Sequence, residues 1–346
     1  MPADDRGASG LVLATQEAGN VTGQTTRVPG RLIRVHVEST TTAGRSRSFA
    51  LQPVWFLRFA ALELLALWVI VATGAAVRLT SSGLGCRHWP GCEAGHPLPA
   101  KNYHAYIEFG NRVVGGVTIL ITLLVAVAAF WTPLGRRAKQ LAVALFVGTL
   151  AQAPLGYLAV KTDLRWPVVA AHLLLSMVLL AGAVVLVFLA YEGIAGRAEP
   201  IVPRELRLFG TGVAVAGLAL VVSGALATAA GPHSGGGTTQ VHRLARFEPV
   251  LYAHAGVVAV FGCSFLFLLG YLAARRSRSP RLFAAALAVL AVLLVQVGLG
   301  ELQYRLHLPW YLVLLHVAVA ATAWAGIVAL TFAFWRPPAW LASGHA

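Results

Sequence analysis

The sequence predicts an all-α integral membrane protein: eight transmembrane helices forming two parallel-topology four-helix bundles, related by pseudo-twofold symmetry along the membrane normal. Three observations predict it. Fifty-eight per cent of the chain is hydrophobic and only 12 per cent charged, whereas a soluble globular domain carries about 25 per cent charged residues. Eight apolar runs are long enough to cross a ~30 Å hydrocarbon layer. Short motifs in the first four runs recur in the last four, and an even number of spans between copies gives repeats of parallel topology.

Residues 1–50 are polar, rich in Gly, Thr and Arg, and lack the short apolar core of a secretory signal. They read as a disordered cytoplasmic tail. A mitochondrial transit peptide is the competing reading, opposed by Asp4, Asp5, Glu17 and Glu38. The first half, 51–191, holds spans at roughly 56–78, 107–131, 140–160 and 168–191. A cytoplasmic linker, 192–206, leads to the second half, 207–334, with spans at 208–230, 250–273, 282–302 and 310–334. Residues 335–346 form a cytoplasmic C-terminal tail.

The copies keep consistent offsets. Gln152-Ala-Pro-Leu-Gly156 in the third span returns as Gln296-Val-Gly-Leu-Gly300 in the seventh, 144 residues on, and His172 returns as His316 at the same offset. Thr73-Gly74-Ala75 and Ser223-Gly224-Ala225 close the first and fifth spans at an offset of 150. Gly115-Gly116 and Gly298 to Gly300 either let helices approach closely in lipid or leave room for a flat cofactor.

The net charge of +14 does not point to nucleic acid, because the basic residues lie in the tail and in short loops. They orient the chain instead. Six Arg of the tail, with Arg136, Arg137, Lys139, Arg197, Arg204, Arg207, Arg275, Arg276, Arg278, Arg281 and Arg336, fall on one side, against eight Lys or Arg in the opposite loops. Both termini are therefore expected in the cytoplasm of a bacterial cell.

Titratable groups inside spans mark function. His172, His254 and His316 begin three spans entered from the outer side, so they form one layer roughly 6–9 Å deep. One such His alone is as readily a hydrogen-bonded helix contact. Three at equivalent positions point to imidazoles that clamp haem iron between facing helices, His254 with His316 in the second half. Zinc and di-iron centres lack their local ligand motifs.

The first half departs from this symmetry. Asn111 stands where the offset from His254 would place a histidine, and Glu108 stands where the second half has Leu251. Glu108, Asn111 and Arg112 share a helix face. Arg112 reads either as a counter-ion for Glu108 or as a holder of a porphyrin propionate. His104, one turn earlier, is an entry-site ligand or a plain loop histidine. A carboxylate beside an open axial position suits chemistry on a bound molecule, so the reaction is expected here.

Cys86 and Cys92, in "GLGCRHWPGC", fall in the first outer loop, on the oxidising side where a disulfide can persist. A structural bridge and a redox role are both open. Cys263, in the sixth span, reads as a small packing residue.

The run "TGAAVRLTSSGLGCRHWPGC", followed by "IEFGNR", "QAPLG" and "HLLLSM" and then by a diverged copy with His254, "QVGLG" and His316, resembles the haem A synthase family of cytochrome oxidase assembly. The resemblance covers about residues 56 to 334. It implies an eight-helix membrane oxidoreductase that oxidises a ring methyl of haem O to a formyl group by successive hydroxylations and loss of water. It implies a haem b cofactor on His254 and His316, and a substrate haem in the first half with His172 as a metal ligand.

Glu108 matches the family's catalytic carboxylate, and Cys86 and Cys92 match a pair commonly disulfide-linked. Many members have His where Asn111 stands. The Asn form looks like that of actinobacterial relatives and implies His172 alone, or with water or His104, on the substrate iron. Implied partners are a haem O synthase, oxidase assembly factors, an unidentified electron donor, membrane lipid and a second copy of the chain. The rival readings are a di-haem cytochrome moving electrons from quinol to a partner, and a parallel-repeat transporter.

Overall fold

The computed structural model describes residues 22–28, 31–37, 51–86, 88–95, 98–99, 101–236, 241 and 243–342. Eight long helices dominate: α1 (Pro53–Leu79), α2 (Tyr103–Trp131), α3 (Arg136–Lys161), α4 (Trp166–Ala195), α5 (Arg204–Ala230), α6 (Phe247–Ala274), α7 (Pro280–Arg305) and α8 (Trp310–Trp335). A short α9 (Ala339–Ala342) follows. The eight run for 26 to 30 residues, about 39–45 Å, so each crosses a bilayer with residues to spare. The chain is a multi-pass membrane protein.

The tail differs from expectation. Where disorder is predicted, β1 (Thr22–Val28) and β2 (Arg31–Val37) pair antiparallel, from Thr22 opposite Val37 to Val28 opposite Arg31. The reason is local: Thr25, Thr26, Val28, Ile33, Val35 and Val37 are β-branched, and such residues favour strands. The other residues of 1–50 lie outside the described residues, as do those after 342. Residues Met1–Phe49 and Ala50–Ala346 are separate compact units.

In the second unit α1, α2, α3 and α4 close into one set, with α1 against α2 and α4, and α3 against the same two. Helices α5 to α8 repeat that arrangement, and the sets meet through α1–α8, α4–α5 and α4–α8. The expected halves are thus parts of one compact unit. Lipid gives helices little hydrophobic reason to associate, so packing and buried polar contacts join them. Trp68 Nε1 donates to Thr322 Oγ1 at 3.0 Å, and Trp324 Nε1 to the Met177 carbonyl at 2.9 Å. Arg336 holds both oxygens of Glu192, at 2.9 and 2.7 Å. Because α4 continues to Ala195 and α5 starts at Arg204, the linker is shorter than 192–206.

One turn recurs in the backbone at the sequence offset of 144. In the α3–α4 turn Asp163 and Leu164 have φ of 50° and 57°, and 144 residues on His307 and Leu308 have φ of 61° and 61°. Left-handed non-glycine pairs are unfavourable. The same bonds hold each one: Leu164 N–H to the Ala159 carbonyl at 2.8 Å, and Leu308 N–H to the Gln303 carbonyl at 2.7 Å. Cys263 is exposed on α6 and not packed in a helix contact.

Candidate functional site

The site is built where the α1–α2 loop folds onto the start of α2. Cys86 and Cys92 are disulfide-bonded and buried against Ala105 and Phe109. At Gly85 the loop presses on the α2 backbone so closely that a Cβ would lie 2.5 Å from the His104 carbonyl oxygen. Only glycine fits. That approach delivers the Cys86 N–H to Glu108 Oε2 at 2.7 Å.

Glu108 is 5 % exposed, and its other oxygen accepts from Arg112 Nη2 at 2.6 Å. Arg112 Nη1 also donates to the carbonyls of His88 at 2.7 Å, Pro90 at 3.2 Å and Gly91. Of the two readings of Arg112, the geometry realises the counter-ion, with the added task of stapling the cysteine loop. Charge-assisted bonds of this kind are shorter and stronger than neutral ones. The carboxylate is thus fixed by a loop amide and by a guanidinium that the same loop immobilises. His104 is exposed, and its Nδ1 is tied to Ser82 Oγ at 3.0 Å.

The histidine layer is closer to uniform than the sequence suggests. His172 is the seventh residue of α4, His254 the eighth of α6 and His316 the seventh of α8, about 9–11 Å along each helix. Equivalent contacts surround them. Ser223 Oγ bonds His254 Nδ1 at 2.8 Å, and in the other half Thr73 Oγ donates to Asn111 Oδ1 at 2.8 Å. A Cβ on Gly224 would meet His254 Cε1 at 3.4 Å, on Gly300 His316 Cε1 at 3.2 Å, and on Gly156 His172 Cε1 at 3.6 Å. Asn111 thus occupies the environment of a histidine without its ring.

These residues fit a haem. When Ser223 accepts from Nδ1–H, the Nε2 lone pair of His254 is left for iron, the usual second-shell arrangement. His316 Nε2 accepts from Gln296 Nε2 at 3.0 Å, and its Nδ1 is buried without a partner. His172 Nδ1 is likewise an orphan; Gln152 Nε2 reaches only the His172 carbonyl, at 3.2 Å, and Ser176 Oγ, at 2.7 Å. All three rings are half-buried, and the glycines keep the space beside them open. Among the described residues no three His, Cys, Asp or Glu side chains converge as a metal cluster.

Sequence reading missed the partners. Gln152 and Gln296 appear there only as repeat markers, Ser82 and Gly85 not at all, and neither does Glu63, a carboxylate 0 % exposed in the middle of α1. The signal for Glu63 was available: an acidic residue alone in the apolar run "ALELLAL".

Fold and site together define a multi-pass membrane protein of eight long helices, with half-buried histidines near the starts of α4, α6 and α8 and a carboxylate clamped beneath a disulfide loop at the start of α2. The chain belongs to the cytochrome oxidase assembly protein family, whose model matches residues 57–234, from α1 to the loop after α5. It is 32 % identical over 141 residues to the heme A synthase of Bacillus pumilus, covering 40 % of this chain and 46 % of that protein. With the heme A synthase of Bacillus licheniformis it shares 34 % over 131 residues, 37 % of this chain and 43 % of the relative. These alignments span less than half the length of the relatives they match. A longer one, with the heme A synthase of an Exiguobacterium species, is 28 % identical over 279 residues, 78 % of this chain and 90 % of the relative.

Proposed function

We propose that this chain is a haem A synthase, oxidising a ring methyl of haem O to a formyl group in the assembly of cytochrome oxidase. The observation that carries the reading is the one-sided carboxylate: Glu108, held by the Cys86 amide and Arg112, has Leu251 as its counterpart in the second half. Two hydroxylations of the methyl carbon, each inserting one oxygen atom at the expense of a two-electron oxidant supplied from outside the chain, give a geminal diol that loses water to the aldehyde. Haem O is the substrate of the first half, with His172 toward its iron and Asn111 beside it.

Glu108 accepts or donates a proton near the reacting methyl, and its two fixed bonds keep it oriented while Arg112 compensates its charge. In the second half His254 and His316 hold haem b, which supplies one-electron transfer when bound. Ser223 orients His254, whereas Gln296 must release His316 Nε2 for that nitrogen to reach iron. The pseudo-twofold relation of the halves, cytoplasmic termini and a site near the outer face complete the reading, supported by the repeated turns and by the distribution of Arg. Its partners are a haem O synthase as supplier, oxidase assembly factors, an electron donor and lipid.

The test is pigment. Purified full-length chain from haem-replete cells should yield haem A or hydroxylated haem O on extraction, and Glu108→Gln should keep its haem while forming no haem A. Extracts that contain haem b alone, from parent and variant alike, refute the synthase and leave a di-haem cytochrome.

A further inference from the structure

The apolar core of the first helix set is interrupted by buried polar groups at positions where the core of the second set stays apolar. Glu63 lies on the buried stripe of α1 formed by Phe56, Ala60, Leu67 and Val71, is 0 % exposed, and neither carboxyl oxygen has a hydrogen-bond partner. An unpartnered carboxyl inside a membrane protein is costly, and such groups are retained on proton and ion routes. It stands alone as a charge. No Asp, Glu, Lys, Arg or His occurs in α2 after Arg112, in α3 between Lys139 and Lys161, in α4 between His172 and Glu192, or in α8 after His316.

Other polar groups occupy the depths between it and the site. Taking the Thr73–Asn111 bond as a common level, Glu63 lies ten residues along α1 and Thr122 eleven along α2, about 15 and 16 Å deeper, with Thr118 about 10 Å deeper. Thr122 is 0 % exposed and Thr118 2 %. From α3, Thr149 Oγ1 and Gln152 Oε1 are buried without partners, and Gln152 Nε2 bonds Ser176 beneath His172.

The offsets that relate the halves, 150 for α1, 143 for α2 and 144 for α3, turn Glu63, Thr118, Thr122 and Thr149 into Val213, Phe261, Phe265 and Leu293. Those residues belong to the second set's apolar core. The half that carries the one-sided Glu108 also carries the polar column, and the half without it is plugged by aromatic rings.

We propose that the first helix set contains a proton path, running from the Asn111 level through Gln152, Thr149, Thr118 and Thr122 to Glu63, with Glu63 exchanging protons between the site and the α1 N-terminal side of the membrane. The path requires buried waters in the intervals between the hydroxyls. For each proton moved, the Glu63 carboxylate accepts it on one side and releases it to water on the other, so no charge accumulates. The inference rests on the proposed reaction in one respect: methyl oxidation exchanges protons at a site closed off by the disulfide loop.

The test uses haem-loaded full-length chain in lipid, with Glu63→Gln, Glu63→Leu and Glu108→Gln. Infrared difference spectra between oxidised and reduced haem should contain a carboxylic C=O band, shifted in deuterated water, that is lost in Glu63→Gln and kept in Glu108→Gln. Haem A formation should fall by roughly 10²- to 10⁴-fold in Glu63→Gln, the range for loss of a proton-transfer group, at unchanged haem content. A parental spectrum without such a band overturns the path. So does Glu63→Leu folding and turning over at the parental rate, the outcome of a merely structural carboxyl. If the parent makes no haem A but the band follows Glu63, the synthase reading fails and the proton path stands.

Discussion

Replacing Gly85 by alanine isolates the way the loop controls Glu108. The added methyl would lie 2.5 Å from the His104 carbonyl oxygen and 2.9 Å from the Ala105 nitrogen, where ordinary contact begins near 3.4 Å. Both obstacles are helix backbone, so the loop must withdraw by about 0.9 Å (3.4 less 2.5). The adjacent Cys86 N–H then moves off Glu108 Oε2, stretching a 2.7 Å bond to about 3.6 Å, beyond hydrogen-bond range. A hydrogen bond to a charged group contributes about 1.5–3 kcal/mol. Expressed wholly in the reaction barrier, its loss slows turnover by roughly 10- to 100-fold. The assay is haem A formed per unit of bound haem, with the disulfide checked by mass. Because His254 and His316 belong to the other helix set, haem content should be unchanged. A Gly85→Ala variant with its disulfide intact and parental turnover would refute the idea that the loop amide orients the carboxylate.

Further expectations follow from other contacts. His254→Ala should remove the haem of the second half, read as loss of a low-spin signal in the absorption spectrum. Ser223→Ala should keep that haem but weaken its binding roughly 10- to 100-fold, the usual effect of deleting a ligand's orienting partner; a competition titration with apomyoglobin measures it. Arg336→Ala leaves Glu192 half-buried without its bidentate partner, so thermal unfolding should show a loss of about 1–3 kcal/mol with the haem spectrum unaltered.

The spans were legible because twenty-odd apolar residues have few alternatives to a membrane helix. Their ends were not: α4 runs past its apolar stretch to Ala195, since polar residues continue a helix freely once it leaves the hydrocarbon. A polar composition does not exclude β pairing, and the β-branched runs in Thr22–Val28 and Arg31–Val37 carry their own strand signal. Glu108 and the histidines stood out as ionisable residues within apolar runs. What could not be read was whom they touch. Arg112 had two readings, and only the folded loop, bringing three carbonyls to its guanidinium, selects one.

By itself the sequence determined a membrane protein of eight spans, motifs that recur at offsets of 143 to 150 residues, histidines near the starts of three spans, and a carboxylate in one copy only. Each follows from composition or position along a helix, which the chain carries locally. The tertiary structure decided that Gly85 seats the cysteine loop on α2, that Thr73 meets Asn111 as Ser223 meets His254, and that Glu63 turns inward without a partner. Those contacts join residues far apart in sequence, and their geometry depends on how the helices pack.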